Sequence, residues 1–205
     1  MNIGIDIDGV LTDISKYQLV RGKEYFGTIV NRSGYEVRNI FECSFPKECL
    51  FWLHNLDYYS SVRDGASDFS HFLHNNGDNI ILASARNPLL WEYTRYWLKK
   101  NDICYDKLIY SSNKLKVSSK YDIDMFIEDS PKNTKLLSKH IPVLCMNAPY
   151  NEDVSGNNIY KINDFDDAKR LILKKYINHR TPYDYYYLSD GIKDSINKEI
   201  KALKK

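Results

Sequence analysis

The sequence predicts an α/β protein: a parallel sheet layered between helices, with a small helical insertion after the first strand. Three observations carry this. Short apolar, β-branched runs recur along the chain at 2–8, 79–83, 108–110, 124–127 and 141–145, separated by longer stretches with helical periodicity. Two of those runs, the first and the fourth, end in a pair of acidic residues followed by a turn. Between residues 14 and 61 the alternation stops and only helical patterns remain.

The chain of 205 residues is 43% hydrophobic and 27% charged, an ordinary globular balance with length for one core and a modest insert. The opening residues read as a strand rather than a signal peptide, and no apolar run approaches the roughly 20 residues that span a bilayer. These features predict a soluble, cytoplasmic protein. Cys43, Cys49, Cys104 and Cys145 show no CxxC spacing, so they are expected to be reduced thiols. Only His71 and His74 stand at helical spacing among the five His residues, a pairing that fits two partly exposed helix residues better than a zinc site.

In the first strand Ile3, Ile5 and Ile7 alternate with small or acidic residues until Gly9, where a turn favours a residue without a Cβ. Strand side chains repeat every two residues, which sends Asp6 and Asp8 off on one side at the C-terminal end, where open α/β sheets bind ligands. Two carboxylates there repel each other and invite a divalent cation with hard oxygen ligands. An EF-hand register fails, because its first and twelfth loop positions would be Gly4 and Ser15. A glycosyltransferase-type DxD finds no further support along the chain.

Ser15 to Phe26 predicts an amphipathic helix closed by Gly27, and Pro46 opens another carrying Leu50, Phe51, Leu53 and Leu56. An insertion over 14–61 is too long for a simple loop and predicts a helical cap. Phe41, Phe45, Phe51, Trp52, Tyr58 and Tyr59 make it aromatic. Most should fill the core of a small unit; one or two, Trp52 foremost, could stack on a flat ligand. Asp64-Gly65-Ala66 then leads into a helix to about His74, ended by Asn76-Gly77. The run 79–83 is a buried strand finishing at Ser84-Ala85-Arg86, where the Ser84 hydroxyl and the next backbone N–H can donate to an anion. Arg86 fits either a substrate contact or a surface ion pair.

Asn87 and Pro88 cap a helix with Leu89, Leu90, Tyr93, Trp97 and Leu98 on one face, the aromatics expected in the core. A third strand at 108–110 precedes a helix opening at Asn113-Lys114. The fourth run, 124–127, ends in Glu128-Asp129, with Ser130 as N-cap and Pro131 at the first turn of a helix. A fifth strand at 141–145, a polar loop over 149–158 and a helix from Asp164 to about His179, with Ala168, Leu171, Ile172 and Tyr176 inward, complete the expected core. Beyond it lies a Tyr-rich appendage. Residues 170–205 carry nine basic and four acidic side chains against a net charge of +2 for the whole chain. Such a tail is more often a solvated helix or a dimer contact than a nucleic-acid surface.

Asp6-x-Asp8-Gly9-Val10-x-x-Asp13, Ser84-Ala85-Arg86, Lys114 and Ile127-Glu128-Asp129-Ser130-Pro131, in that order, resemble the four motifs of the haloacid dehalogenase superfamily. Over roughly residues 1–175 the chain looks most like its 5′(3′)-deoxyribonucleotidase-like branch. The resemblance implies a three-layer Rossmann-like core over 1–13 and 62–180, a type-1 cap over 14–61, and an appendage over 181–205. It implies a Mg²⁺-dependent phosphomonoester hydrolase in which Asp6 is the nucleophile, forming an aspartyl-phosphate, and Asp8 is the acid and base. Mg²⁺ would be held by Asp6, Asp129 and the backbone carbonyl of Asp8; Ser84, Ala85 and Lys114, with Lys116 as fallback, would bind phosphate. Glu128, Arg86 and Trp52 are candidates for supporting the ligands or touching substrate. The expected substrate is a nucleoside monophosphate, with sugar phosphates or a non-catalytic binding module as alternatives. Fold kinship alone leaves that choice open.

Overall fold

The computed structural model describes residues 1–55, 61–86 and 88–179, with backbone alone from 175. Leu56, Tyr58, Tyr59, Asn87, the Tyr176 side chain and the basic appendage lie outside the described residues. Six parallel strands form the sheet: β1 (Asn2–Ile5), β2 (Asn79–Ser84), β3 (Lys107–Tyr110), β4 (Met125–Glu128), β5 (Val143–Met146) and β6 (Ile159–Ile162). Their order across the sheet is β3-β2-β1-β4-β5-β6, so β1 sits between β2 and β4 and the winding direction reverses there.

Side-chain alternation sorts the core into two layers. Ile3, Ile5, Leu82, Ile127 and Leu144 face one way, and meet α4 (Ala66–Asn75), α5 (Trp91–Lys100) and α8 (Phe165–His179) through Phe69, Leu73, Trp97, Leu98, Phe165 and Ile172. Ile81, Ala83, Phe126 and Val143 face the other way, onto α6 (Lys114–Lys120) and α7 (Pro131–Leu137) through Val117 and Leu137. Both faces are covered, which is why these strands read as nearly continuous apolar runs. Gly4 is part of this packing, because a Cβ there would run into the Phe126 ring.

Several expectations need correction. β1 leaves the ladder at Ile5, though the Asp6 N–H still donates to the Ile127 carbonyl at 3.0 Å. The predicted helix at Pro88 opens as a 3₁₀ turn, Pro88–Leu90, with α5 following. On that face Trp97 and Leu98 are core, but Leu89 and Tyr93 are exposed. β6 was not foreseen: its four residues follow a polar loop and pair with β5 along one edge only, so they lack the apolar run of an inner strand.

The insert holds α1 (Ile14–Phe26), α2 (Val37–Phe41) and α3 (Phe45–His54). Asp13 caps α1 by accepting the Lys16 N–H, and Gly27 at φ 89° ends it, where a residue with a Cβ would be strained. The five-residue α2 escaped notice because one turn shows no period. Val37, Ile40, Phe41 and Phe51 form a separate small core with Phe26 stacked on Phe41 at 5.2 Å. Gly22 of α1 lies against the Phe41 ring, which lets the two helices close up.

Candidate active site

Because β1 and β4 are neighbours at the point of reversal, the residues just past their ends share one crevice. Asp6 and Asp8 follow β1; Glu128 ends β4 and Asp129 follows it; Ser84 ends β2. The β1 loop is held as a tight turn: Ile7 carbonyl accepts the N–H groups of Leu11 (2.9 Å) and Thr12 (3.0 Å), and Gly9 N–H donates to Thr12 Oγ1 at 3.2 Å. Gly9 adopts φ 94°, and a Cβ there would collide with the Asp129 carboxylate. Glycine is therefore required twice over at this position. Arg63, entering from the other connection to the cap, braces the loop by donating to the carbonyls of Val10 (3.0 Å) and Gly9 (2.9 Å).

Carboxylate oxygens of Asp6, Glu128 and Asp129 can lie within 4.8 Å of one another, all from buried residues. Lys114 donates to Asp6 Oδ1 at 2.6 Å and to the Ala83 carbonyl. Burial alone would lower the Lys114 ammonium, but Asp6 and Glu128 lift it above its ordinary value. Burial also pushes the carboxyl of Asp6 up, partly offset by Lys114, and pushes Glu128 well up with help from the Asp6 charge. Asp129 is raised to about 7, by burial first and Asp6 second. One ammonium thus faces three buried carboxyls.

Glu128 Oε1 accepts the Ser130 N–H at 3.1 Å, but Oε2 has no partner; Asp129 Oδ2 accepts from Tyr150, but Oδ1 has none. Buried carboxylate oxygens without a partner are costly, and three acidic groups with excess negative charge fit a hard divalent cation such as Mg²⁺. The geometry brings Glu128 into this cluster directly, where the sequence suggested a supporting place. Asp8 contributes no side-chain oxygen to it.

Instead, Arg86 grips Asp8 with both arms of its guanidinium, Nε to Oδ2 at 2.8 Å and Nη2 to Oδ1 at 2.6 Å. Arg86 is 7% exposed and lies over the Trp97 ring at 5.6 Å. It is a buried fork that fixes Asp8 and not a surface ion pair. Ser84 is buried at the end of β2, and its Oγ accepts the Arg86 N–H at 3.1 Å, while Ala85 is exposed. Lys116 is exposed, its N–H capped by the Asn113 side chain at 3.0 Å, so Lys114 is the lysine that reaches the acidic cluster.

Above the carboxylates opens a cleft of about 410 Å³ whose walls include Asp8 and Asp129 below and Gln18, Tyr35, Arg38, Phe45, Glu48 and Trp52 of the insert above. Phe41 and Phe51 belong to the core of the insert, so among the described residues it is Phe45 and Trp52, of the aromatics singled out from sequence, that reach the cleft. Two tyrosines were missed. Tyr35 packs edge-on against Tyr150 at 4.9 Å, joining insert to core, and Tyr150 donates to Asp129. Asn151 beside it donates to the Asp129 and Met146 carbonyls at 2.7 and 2.8 Å. Their one available signal was position: the loop over 147–151 leaves the same sheet edge as every other site residue. A second hollow of about 500 Å³, bordered by Lys16, Arg63 and Asn163 at the root of the insert, holds none of the clustered carboxylates.

Residues 1–177 match the family described as 5′ nucleotidase, deoxy (pyrimidine), cytosolic type C protein. A nucleotidase of Clostridium acetobutylicum is 28% identical over 182 residues, spanning 84% of this chain and 93% of its own. Among solved structures, an L-2-haloacid dehalogenase superposes with a TM-score of 0.55 at 10% identity, over 83% of this chain and 97% of that one. A D,D-heptose bisphosphate phosphatase from B. bronchiseptica, solved with magnesium and phosphate, gives 0.50 at 11% identity, over 85% and 99%. These two likenesses are of fold.

Proposed function

The chain belongs to the cytosolic type C 5′-nucleotidase family, on the haloacid dehalogenase fold, and we propose that it is a Mg²⁺-dependent, cytoplasmic hydrolase of nucleoside monophosphates working through an aspartyl-phosphate. The observation that carries this reading is the buried carboxylate cluster of Asp6, Glu128 and Asp129 with two partnerless oxygens, at the reversal point of the sheet.

Asp6, Asp129 and the Asp8 backbone carbonyl would hold Mg²⁺, with Glu128 completing the negative field. Bound there, the cation offsets the charge of a phosphate dianion, so that an anionic nucleophile can approach it. Lys114 adds a second positive charge and keeps Asp6 oriented through its 2.6 Å contact. Ser84, an acceptor toward Arg86, keeps its own O–H for a phosphate oxygen, and the Ala85 N–H is a further donor. The Asp6 carboxylate attacks phosphorus and the ester oxygen leaves; water then cleaves the acyl phosphate, dividing one hard displacement into two easier ones. Asp8 hands a proton to the departing oxygen and then takes one from the water. Arg86 holds the Asp8 side chain at the cleft and pairs with its carboxylate form, the form that takes the proton from water.

The aromatic roof formed by Trp52 and Tyr35 favours a flat leaving group, which supports nucleotides over sugar phosphates. Turnover of an aryl phosphate with Mg²⁺ and with EDTA tests the chemistry, and metal-independent turnover would overturn it. A parallel panel of nucleoside monophosphates, sugar phosphates and phosphoamino acids tests the substrate. Sugar phosphates exceeding every nucleotide by more than about tenfold, some 1.4 kcal/mol, would overturn the nucleotidase reading and leave a phosphatase.

A further inference from the structure

Gln18 lies on α1 one turn before Gly22, on the face that packs toward α2. The residue is 6% exposed and lines the same cleft as Asp8, Asp129 and Trp52, and its Oε1 has no hydrogen-bond partner. Among the described residues, six buried side-chain nitrogen or oxygen atoms lack a partner. Two of them are the Glu128 and Asp129 oxygens, which fit a cation; of the residues that carry the other four, Gln18 alone lines the cleft.

A buried amide oxygen left unpaired destabilises the empty protein, so its place in a ligand cleft points to a donor brought by the ligand. Phosphate cannot supply one, because its oxygens are acceptors and would be repelled. Gln18 is part of the insert, whereas Asp6, Lys114 and Asp129 belong to the core, so Gln18 stands on the side of the cleft that meets the portion of a ligand extending away from the phosphate. The Trp52 ring, in the lining of the same cleft, favours a flat group. A planar group that carries donors on its edge is a nucleobase, whose ring N–H or exocyclic amino group suits an amide acceptor.

We infer that Gln18 reads the N–H edge of the substrate's base and is a specificity-determining residue; this rests on the nucleotidase reading above. The Gln amide offers a donor beside its acceptor, so it can meet the paired donor and acceptor found on base edges in a single orientation.

The test compares wild type with Gln18→Met, nearly the same shape without the amide. The readout is the ratio of kcat/KM for the best nucleoside monophosphate to kcat/KM for ribose 5-phosphate, which has no base. We expect the ratio to fall by about tenfold to a hundredfold, mainly through KM, the range expected for one or two lost hydrogen bonds at a buried site. The Tm of the substrate-free variant should hold or rise, because an unsatisfied oxygen has been replaced by apolar surface. An unchanged ratio overturns the inference while the nucleotidase reading stands. So does an equal loss on both substrates, or a Tm lower by several degrees, either of which assigns Gln18 to holding the cap together. If wild type turns over no nucleotide at all, the function proposed above fails, and this inference with it.

Discussion

The floor and the roof of the cleft are built on opposite plans. The floor rests on strand ends and the start of α6: Asp6, Glu128, Asp129 and Lys114 are all nearly inaccessible, Lys114 reaches Asp6 across 108 positions, and the buried charges act on one another. The roof is a three-helix insert with a core of four fully or mostly buried apolar residues, and its cleft face carries half-exposed side chains such as Trp52 and exposed ones such as Phe45. A rigid, over-determined floor suits chemistry that must be the same for every substrate. A roof with its own small core can vary its lining without disturbing that chemistry.

The largest effect is expected at Asp6, the proposed nucleophile. Asp6→Asn should cut turnover of every phosphomonoester, aryl phosphate included, by about four orders of magnitude or more. Asp8→Asn, by contrast, should let a labelled aspartyl-phosphate accumulate with a good leaving group. Near-normal steady-state rates in Asp6→Asn would mean that the floor has been misread.

Next in size is the electrostatic strain of the floor. Asp129 sits at about 7 when folded against 3.8 when unfolded, so between these values the folded state binds more protons, and stability falls as pH rises. Above about pH 7 that loss is complete. Metal-free protein should therefore melt lower at pH 8 than at pH 5.5, and added Mg²⁺ should raise Tm more at pH 8, since the cation competes with the proton. Asp129→Asn should raise the metal-free Tm by a few degrees while lowering Mg²⁺ affinity by about a hundredfold. Scanning calorimetry across pH, with and without Mg²⁺, reads both effects; a metal-free Tm that climbs with pH would contradict the strain.

The roof should behave differently. Trp52→Ala is expected to raise KM for nucleoside monophosphates about tenfold to a hundredfold through lost stacking, and to leave kcat for an aryl phosphate within about twofold. Equal losses on both would show that Trp52 holds up the cap core it also touches. The smallest effect belongs where floor and roof meet. Tyr150→Phe removes the hydrogen bond to Asp129 but keeps the ring against Tyr35, so Mg²⁺ affinity should drop about tenfold with little change in nucleotide preference. Isothermal titration with Mg²⁺ measures the first and the substrate panel the second.

Much of the floor was legible from residues alone. A period of two puts Asp6 and Asp8 at the end of a strand, the same logic places Glu128 and Asp129, and Ser84 closes an apolar run of its own. The alternation of strands with helices yields the parallel sheet, and the break in it yields the insert. Spacing favours Lys114 over Lys116, and it is Lys114, the first residue of α6, that is buried and reaches Asp6, whereas Lys116 is exposed. The roof was far less legible. Tyr150 is one of 17 tyrosines, in a loop with no period, and Tyr35 and Gln18 carry no local mark that separates them from solvated neighbours.

By itself, then, the sequence determined the longer elements and the inner strands, the acidic strand ends and the residue types that a phosphate site needs, because period, propensity and turn chemistry act over a few neighbouring residues. Tertiary structure alone decided which charges meet. It paired Arg86 with Asp8 across 78 positions and Lys114 with Asp6 across 108, brought Glu128 into the cluster, and set Tyr35 against Tyr150. Those contacts depend on strand order and on the close approach of insert and core, distances that no local pattern encodes.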